Sequence, residues 1–141
     1  MRNFEDDYEK VDPQIEAIAQ KVVDAAFKLH SVLGPGLLEN VYESFFIHEL
    51  KLRGLKVEKQ VVLPLTYEGM TIDAGLRLDL LVEDKLVVEL KAVESLLRVH
   101  RAQLKTYLKL SGHSLGLLIN FNVPLIKDGI ERVILTKKIE S

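Results

Sequence analysis

Cysteine and tryptophan are absent from this sequence of 141 residues, and it has only four prolines. Without cysteine there is no disulfide and no thiolate metal site, so oxygen or imidazole groups must hold any metal. No apolar run approaches the length of a membrane span, and residues 1–10 are polar and acidic, unlike a signal peptide. We therefore expect a cytoplasmic protein of prokaryotic type with no membrane partner.

Positive charge is not in excess either. The chain has 19 Lys and Arg against 21 Asp and Glu, a net charge of −2. This argues against a strongly basic nucleic-acid wrapper, but it is compatible with a nuclease that uses a metal and a local basic groove. The length and the 48% of hydrophobic residues suit one globular domain. We expect a flexible leader at residues 1–11 and a single domain at residues 12–141.

Apolar residues at helical spacing predict three helices, at residues 13–33, 38–53 and 96–110. Asp12 is the expected N-cap of the first helix, with Pro13 in its first turn. In the second helix, Val41, Phe45 and Leu52 are the predicted inward residues. Gly34 and Gly54 are expected to end these two helices.

Five strands are predicted at residues 57–67, 70–82, 86–92, 115–121 and 131–135. Gly75 interrupts the second strand, which indicates a bulge. The fourth strand is almost entirely apolar, as is typical of a strand buried on both faces, and the fifth is expected at an edge. The order ααβββαββ predicts an α/β fold with a mixed sheet flanked by helices.

The hairpin of the second and third strands contains the most informative residues. Its predicted inner face is apolar and consists of Leu78, Leu80, Val82, Leu86, Val88 and Leu90. Its other face consists of Arg77, Asp79, Leu81, Val87, Glu89 and Lys91. A three-residue loop at residues 83–85 keeps the apolar rows on one face, and it pairs Asp79 with Glu89 and Arg77 with Lys91.

Two carboxylates opposite each other, about 5 Å apart at Cβ, repel, so a positive group is expected between them. Mg²⁺ is the better candidate because it prefers hard oxygen ligands, and Lys91 is the other. Such an ion polarises a phosphate and activates water, and a lysine on the same face helps to orient or deprotonate that water. A solvated outer face of the sheet explains the same alternation, and the spacing alone does not decide between these interpretations.

Further motifs lie outside the hairpin. Residues 36–42 fit the pattern G-x-x-E-x-x-Y, and they are followed by the runs VELKAV at 88–93, H-x-x-Q-x-x-x-Y at 100–107 and GLLINF at 116–121. Together with Asp79, Glu89 and Lys91, they resemble the PD-(D/E)XK nuclease superfamily, and within it the GxxExxY family. The similarity runs from about residue 22 to residue 132, and Leu78 stands where the superfamily name has proline.

This resemblance implies a restriction-endonuclease-like α/β/α core. It adds Glu39 to Asp79 and Glu89 as metal ligands, with Mg²⁺ or Mn²⁺ as the cofactor. It also implies that the helix after the third strand presents a polar residue to the site, for which Gln103 is our candidate. The predicted catalytic residues are therefore Asp79, Glu89, Lys91 and Gln103.

Other residues are weaker candidates, because packing, capping or solvation is the more usual explanation for such residues. The auxiliary candidates are His30, Tyr42, His100 and Tyr107. The candidates for nucleic-acid binding are Arg77, Arg101 and Lys105, the last two on a basic stripe of the third helix. For His30 the simpler alternative is a hydrogen bond to the loop at residues 34–36.

The function we expect is a metal-dependent nuclease acting on DNA or RNA. The alternative is a non-catalytic module of the same fold that binds nucleic acid or protein, and a hydrolase of small phosphorylated compounds is a third hypothesis. A homodimer is expected, because two subunits can address two strands, and an unidentified protein partner is a further candidate.

Overall fold

The computed structural model describes residues 11–135, which form a five-stranded sheet between two helical layers. Its elements are α1 (Pro13–Leu33), α2 (Glu39–Leu52), β1 (Val57–Tyr67), β2 (Met70–Val82), β3 (Leu86–Lys91), α3 (Arg98–Ser111), β4 (Leu115–Asn120) and β5 (Ile130–Ile134), with a 3₁₀ turn at Ile126–Gly129. The predicted order ααβββαββ is confirmed, and α3 begins two residues later than predicted. The predicted leader lies outside the described residues except for Val11, which packs against the core.

The sheet has the strand order β1-β2-β3-β4-β5 and is antiparallel except where β3 pairs with β4. This parallel pair needs a long crossover connection, which contains α3. All six residues of β4 are buried, as the apolar run predicted for a strand covered on both faces. The chain therefore has the predicted α/β fold with a mixed sheet flanked by helices.

Two apolar clusters cover the two faces of the sheet. The first, which we call the α1–α2 core, joins both N-terminal helices to one sheet face and includes Val22, Tyr42, Phe46, Leu80, Val82, Leu86, Val88, Leu90 and Phe121. The second, the α3 core, contains Leu76, Leu78, Leu81, Val87, Leu104, Leu108 and Leu118. Each side chain of the hairpin can therefore be assigned to a face by the cluster that it joins.

The predicted inward face of α2 is wrong. Phe45 is 51% exposed and Leu52 is 67% exposed, while Val41 is only half-buried. The buried residues of this helix are instead Tyr42, Phe46, Glu49 and Leu50. This stripe lies one position further along the helix and includes a tyrosine and a glutamate, which a search for apolar residues passes over.

The predicted bulge at Gly75 is confirmed. The register changes from Leu63↔Leu76 to Leu65↔Ile72, so β2 contains two more residues than β1 between these pairs. A Cβ atom on Gly75 would lie 2.8 Å from the Cβ atom of Leu65, so any larger residue requires the hairpin to shift. Within residues 11–135, no helix combines the length and apolar character needed to cross a membrane.

Candidate active site

The β2–β3 hairpin closes with the predicted three-residue loop, because Val82 pairs with Leu86. Glu83 and Asp84 in this loop both have left-handed backbone conformations, with φ of 53° and 56°. Regular pairing between the strands ends at Leu80↔Val88. The strands therefore begin to separate at Asp79. The predicted pair of carboxylates, Asp79 and Glu89, lies here, and we call it the acid pair.

Asp79 and Glu89 bridge this opening with their side chains. The Asp79 amide donates to Glu89 Oε1 at 3.1 Å, and the Leu90 amide donates to Asp79 Oδ2 at 3.0 Å. Each carboxylate thus accepts a hydrogen bond from the backbone of the opposite strand. The predicted pairing of Arg77 with Lys91 is wrong, because the ladder has ended before it reaches them.

On β2, the side chains before and after Asp79 point to different faces of the sheet. Leu78 packs in the α3 core, whereas Leu80 packs in the α1–α2 core. Side chains two residues apart share a face in a regular strand, so the prediction that Leu78 and Leu80 face the same way is wrong. On β1, Val57 and Val61 likewise pack in different clusters, and Gln60 between them has a left-handed φ of 52°. The left-handed conformation of Gln60 interrupts the alternation on β1, and the change of face on β2 lies on the segment paired with it.

The acid pair is electrostatically strained. Glu89 is only 5% exposed, and burial, followed by the charge of Asp79, raises its pKa to about 8. Lys91, half-buried and two residues further along β3, partly offsets this by favouring the charged form of Glu89. The local field therefore favours a proton or another positive charge on the pair.

Glu39, the first residue of α2, belongs to the same electrostatic neighbourhood. Partial desolvation raises its pKa first, and the charge of Asp79 raises it further, while Lys91 lowers it. The structure thus brings Glu39, Asp79, Glu89 and Lys91 together, although Glu39 itself remains exposed. No group of three or more His, Cys, Asp or Glu side chains within residues 11–135 is already arranged to hold a metal ion. The donors that are present, carboxylate oxygens, are those that Mg²⁺ and Mn²⁺ accept.

Sequence comparison defines the family. A sequence profile described as the PD-(D/E)XK nuclease superfamily matches residues 16–133, which include the β2–β3 hairpin and α3. The chain belongs to the PD-(D/E)XK nuclease superfamily. No curated protein is significantly similar to it. A solved structure titled "Crystal structure of SSO0001" aligns with 90% of this chain, at 19% identity and a TM-score of 0.49. This chain spans 61% of that protein chain.

In this superfamily member, two of the auxiliary candidates have structural contacts. Tyr42 is fully buried, and its hydroxyl donates to the Gly34 carbonyl at 2.6 Å and accepts from the Leu37 amide at 3.1 Å. Its ring stacks on Phe121, with ring centroids 4.8 Å apart. His30 is buried, and its ring Nε2 bonds the Val123 carbonyl at 2.8 Å. It contacts the loop at residues 34–36 through its backbone, since the His30 carbonyl accepts from the Gly34 amide at 2.8 Å. None of these contacts involves the acid pair.

The polar residues of α3 bond within their own helix. Gln103 is exposed, and its Nε2 donates to the hydroxyl of Tyr107 at 2.8 Å. His100 accepts at Nδ1 from the Leu97 amide at 2.9 Å, which caps the start of the helix. In the part of the chain that the structure describes, no hydrogen bond joins these three side chains to Asp79 or Glu89.

The basic candidates lie on two elements, α3 and β2. Arg101 pairs with Glu131 of β5 through two contacts, one of them Nη2 to Oε1 at 2.8 Å, and this guanidinium lowers the pKa of Glu131. Lys105 is exposed on the same helix. Arg77 is exposed on β2, opposite Val62 of β1. Arg101 and Lys105 thus lie one turn apart on α3, whereas Arg77 lies on the strand that carries Asp79.

Two residues near the site were not predicted. Gln60 donates from Nε2 to Glu43 Oε2 at 3.2 Å, and the charge of Glu43 contributes to the raised pKa of Glu39. The spacing of Glu39 and Glu43, four residues apart on a helix, was the one available signal for Glu43. Gln60 gave no signal, because a left-handed conformation in a strand is usually marked by glycine or asparagine.

Proposed function

We propose that the chain is a divalent-metal-dependent nuclease that hydrolyses phosphodiester bonds in DNA or RNA, and that it is a member of the GxxExxY family. The observation that carries this proposal is the Asp79–Glu89 pair, joined by hydrogen bonds across the opening between β2 and β3. Two carboxylates held together in a largely buried position need a compensating proton or cation. Membership of the nuclease superfamily favours the cation.

Mg²⁺ or Mn²⁺ would be held by Asp79 and Glu89, with Glu39 as the third ligand. Glu39 is exposed at the start of α2, so its side chain is free to turn towards the pair. When bound, the ion supplies Lewis-acid polarisation of the phosphate and a lowered pKa for water. Glu39, Asp79 and Glu89 would fix the ion's position and exclude weaker, uncharged ligands.

Lys91 has a different role in this proposal. It lies at the end of β3, and its charge favours the ionised forms of both Glu39 and Glu89. There it would orient the attacking water or accept its proton, while Gln103 would donate a hydrogen bond to a phosphate oxygen. Arg77 and Lys105 would contact flanking phosphates, and Arg101 would do so after leaving Glu131.

A non-catalytic binding module is the second candidate function. It is favoured by the ion pair between Arg101 and Glu131. In this pair the guanidinium binds a carboxylate, whereas a nuclease would use it to bind phosphate. The net charge of −2 points the same way. A homodimer or a protein partner would supply additional basic surface in either case.

The deciding experiment combines calorimetric titration of Mn²⁺ or Mg²⁺ with a cleavage assay on single- and double-stranded DNA and RNA. We expect saturable binding and cleavage by the wild type, and neither by Asp79→Asn. Lys127→Ala, which changes an exposed lysine on the 3₁₀ turn, is the control and should behave as wild type. Metal binding without cleavage of any substrate would support the binding module, and no metal binding would exclude both the nuclease and its site.

A further inference from the structure

Gln60 on β1 lies directly opposite Asp79 on the neighbouring strand β2. The register pairs Lys59 with Leu80 and Val61 with Leu78, so Gln60 and Asp79 are the two residues between these pairs. Both strands change face at this position. The change of face on β2 at Asp79 thus coincides with the change of face on β1 at Gln60.

Two features of Gln60 are unfavourable for stability. Its φ of 52° is left-handed, a conformation in which glycine is favoured over residues with a long side chain. Its Oε1 is buried without a hydrogen-bond partner, and it is the sole side-chain atom of this kind within residues 11–135. Glycine at this position would remove both costs. Residues that break local rules in this way are concentrated at functional sites.

The side-chain amide nitrogen of Gln60 forms a hydrogen bond to α2. Nε2 donates to Glu43 Oε2 at 3.2 Å, and Glu43 lies one helical turn after Glu39. Residues four apart share a helix face, so Glu43 and Glu39 project from the same side of α2. A chain of contacts and charges therefore leads from Gln60 through Glu43 to Glu39 and the acid pair.

We propose that Gln60 is a positioning residue of the metal site. Through the hydrogen bond from its Nε2 to Glu43 Oε2 it holds Glu43 beside Glu39, and so limits where the Glu39 carboxylate can lie when a cation binds. This inference rests on the proposed function, because it assigns Gln60 a role only towards a bound cation. It explains why a strained glutamine with an unsatisfied oxygen occupies a position that would suit glycine.

A purely structural role makes the opposite prediction for stability. If Gln60 served only to hold α2 against β1, its removal would lower the melting temperature and leave the affinity of the site unchanged. If it is a positioning residue, its removal weakens metal binding without lowering the melting temperature of the metal-free protein. Measuring both quantities on the same variants separates the two roles.

The test compares Gln60→Gly and Gln60→Asn with wild type, and Glu68→Gly serves as the control for strain. Glu68 has a left-handed φ of 47° and lies in the turn between β1 and β2, at the far end of the hairpin from Asp79. Asparagine tolerates a left-handed backbone but has a shorter side chain than glutamine. The readouts are the melting temperature in EDTA, the Kd for Mn²⁺ by calorimetry, and the kcat and KM of cleavage.

For Gln60→Gly we expect a melting temperature at or above that of wild type and a Kd for Mn²⁺ weaker by about tenfold or more, as is typical when a residue supporting metal ligands is lost. Gln60→Asn should fold as wild type and also bind Mn²⁺ more weakly. Glu68→Gly should raise the melting temperature and leave the Kd unchanged. Wild-type Mn²⁺ affinity in both Gln60 variants overturns the inference alone, whereas a wild type that neither binds Mn²⁺ nor cleaves overturns it together with the proposed function.

Discussion

Asp79 and Glu89 are joined by a hydrogen bond from the amide of Asp79 to the carboxylate of Glu89, 3.1 Å from N to Oε1. The return contact runs from the Leu90 amide to Asp79 Oδ2 at 3.0 Å. The carboxylates therefore act as acceptors for the backbone at the point where the β2–β3 ladder stops. Substitutions at this pair change hydrogen bonding and charge together, and the two effects have to be separated by the choice of variant.

Asp79→Asn and Asp79→Ala should differ in stability although both lose metal binding. Asparagine keeps an oxygen for the Leu90 amide and removes a charge beside Glu89, so we expect a free energy of unfolding at or above that of wild type in EDTA. Alanine leaves the amide without its acceptor, at a cost of about 1–3 kcal/mol relative to asparagine. Urea denaturation gives this difference, and calorimetry gives the metal affinity. Mn²⁺ binding by Asp79→Asn with wild-type affinity would contradict the ligand assignment.

The raised pKa of Glu89 predicts how stability changes with pH. Its pKa in the folded protein, about 8, lies above the ordinary value of 4.5, so the folded state holds the proton more tightly. The resulting stabilisation is complete below the ordinary pKa and is lost as pH rises towards 8. In EDTA, the free energy of unfolding should therefore decrease between about pH 5 and about pH 8.

Glu89→Gln is the control for this pH effect, because it cannot ionise. Its free energy of unfolding should vary less over the same range and should exceed that of wild type near the upper end. The affinity of the wild type for Mn²⁺ should rise over this range, since the ion has to displace a proton from Glu89. A wild-type profile that matches that of Glu89→Gln would show that Glu89 is ionised throughout.

Lys91→Met should separate binding from catalysis. The substitution keeps most of the side-chain volume but removes the ammonium that is proposed to orient or deprotonate water. We expect the Kd for Mn²⁺ to stay within a few-fold of wild type, while kcat falls by about 10²-fold or more. Lys109→Met, which changes an exposed lysine near the end of α3, is the matched control. An equal loss of affinity and of kcat would instead make Lys91 part of the binding of the ion.

Tyr42→Phe tests whether this tyrosine has a chemical role or only a structural one. Its hydroxyl holds the Gly34 carbonyl and the Leu37 amide, so its removal should destabilise the fold by about 1–3 kcal/mol. Because these contacts do not involve Asp79 or Glu89, we expect metal affinity to be unchanged at temperatures well below the melting point. A fall in kcat at unchanged stability would restore Tyr42 as an auxiliary catalytic residue.

Much of the fold and the approach of Asp79 to Glu89 could be predicted from the sequence. The periodicity of the apolar residues predicted the element order. The requirement that the apolar residues of β2 and β3 lie on one face predicted the three-residue loop, which brings Asp79 towards Glu89. The G-x-x-E-x-x-Y motif directed attention to Glu39, whose pKa responds to Asp79. The element order and the loop were predicted correctly because they depend on local pattern and spacing, whereas Glu39 came from the family resemblance and its role in the site stays a prediction.

The errors arose where tertiary contacts override the local pattern. The buried stripe of α2 includes Tyr42 and Glu49, which are buried because of partners on other elements or on their own helix, Phe121 for the tyrosine and Lys28 and Arg53 for the glutamate. The change of face at Asp79 lies opposite a left-handed glutamine, which no propensity scale would place in a strand. Gln103 and Tyr107 were correctly expected on one helical stripe, but their hydrogen bond to each other is set by rotamers rather than by spacing.

The buried hydroxyl of Tyr42 has a consequence for the motion of the site. The Leu37 amide donates to this hydroxyl, two residues before Glu39 opens α2. Its proton can exchange with solvent only when this hydrogen bond opens, which requires the loop before α2 to move away from a hydroxyl whose ring is held against Phe121. Slow hydrogen exchange at Leu37 would thus report that the backbone leading to Glu39 is rigid before any ligand arrives. An acid on such a backbone has only its side-chain torsions left to adjust, which reduces the entropy lost when it closes on a cation.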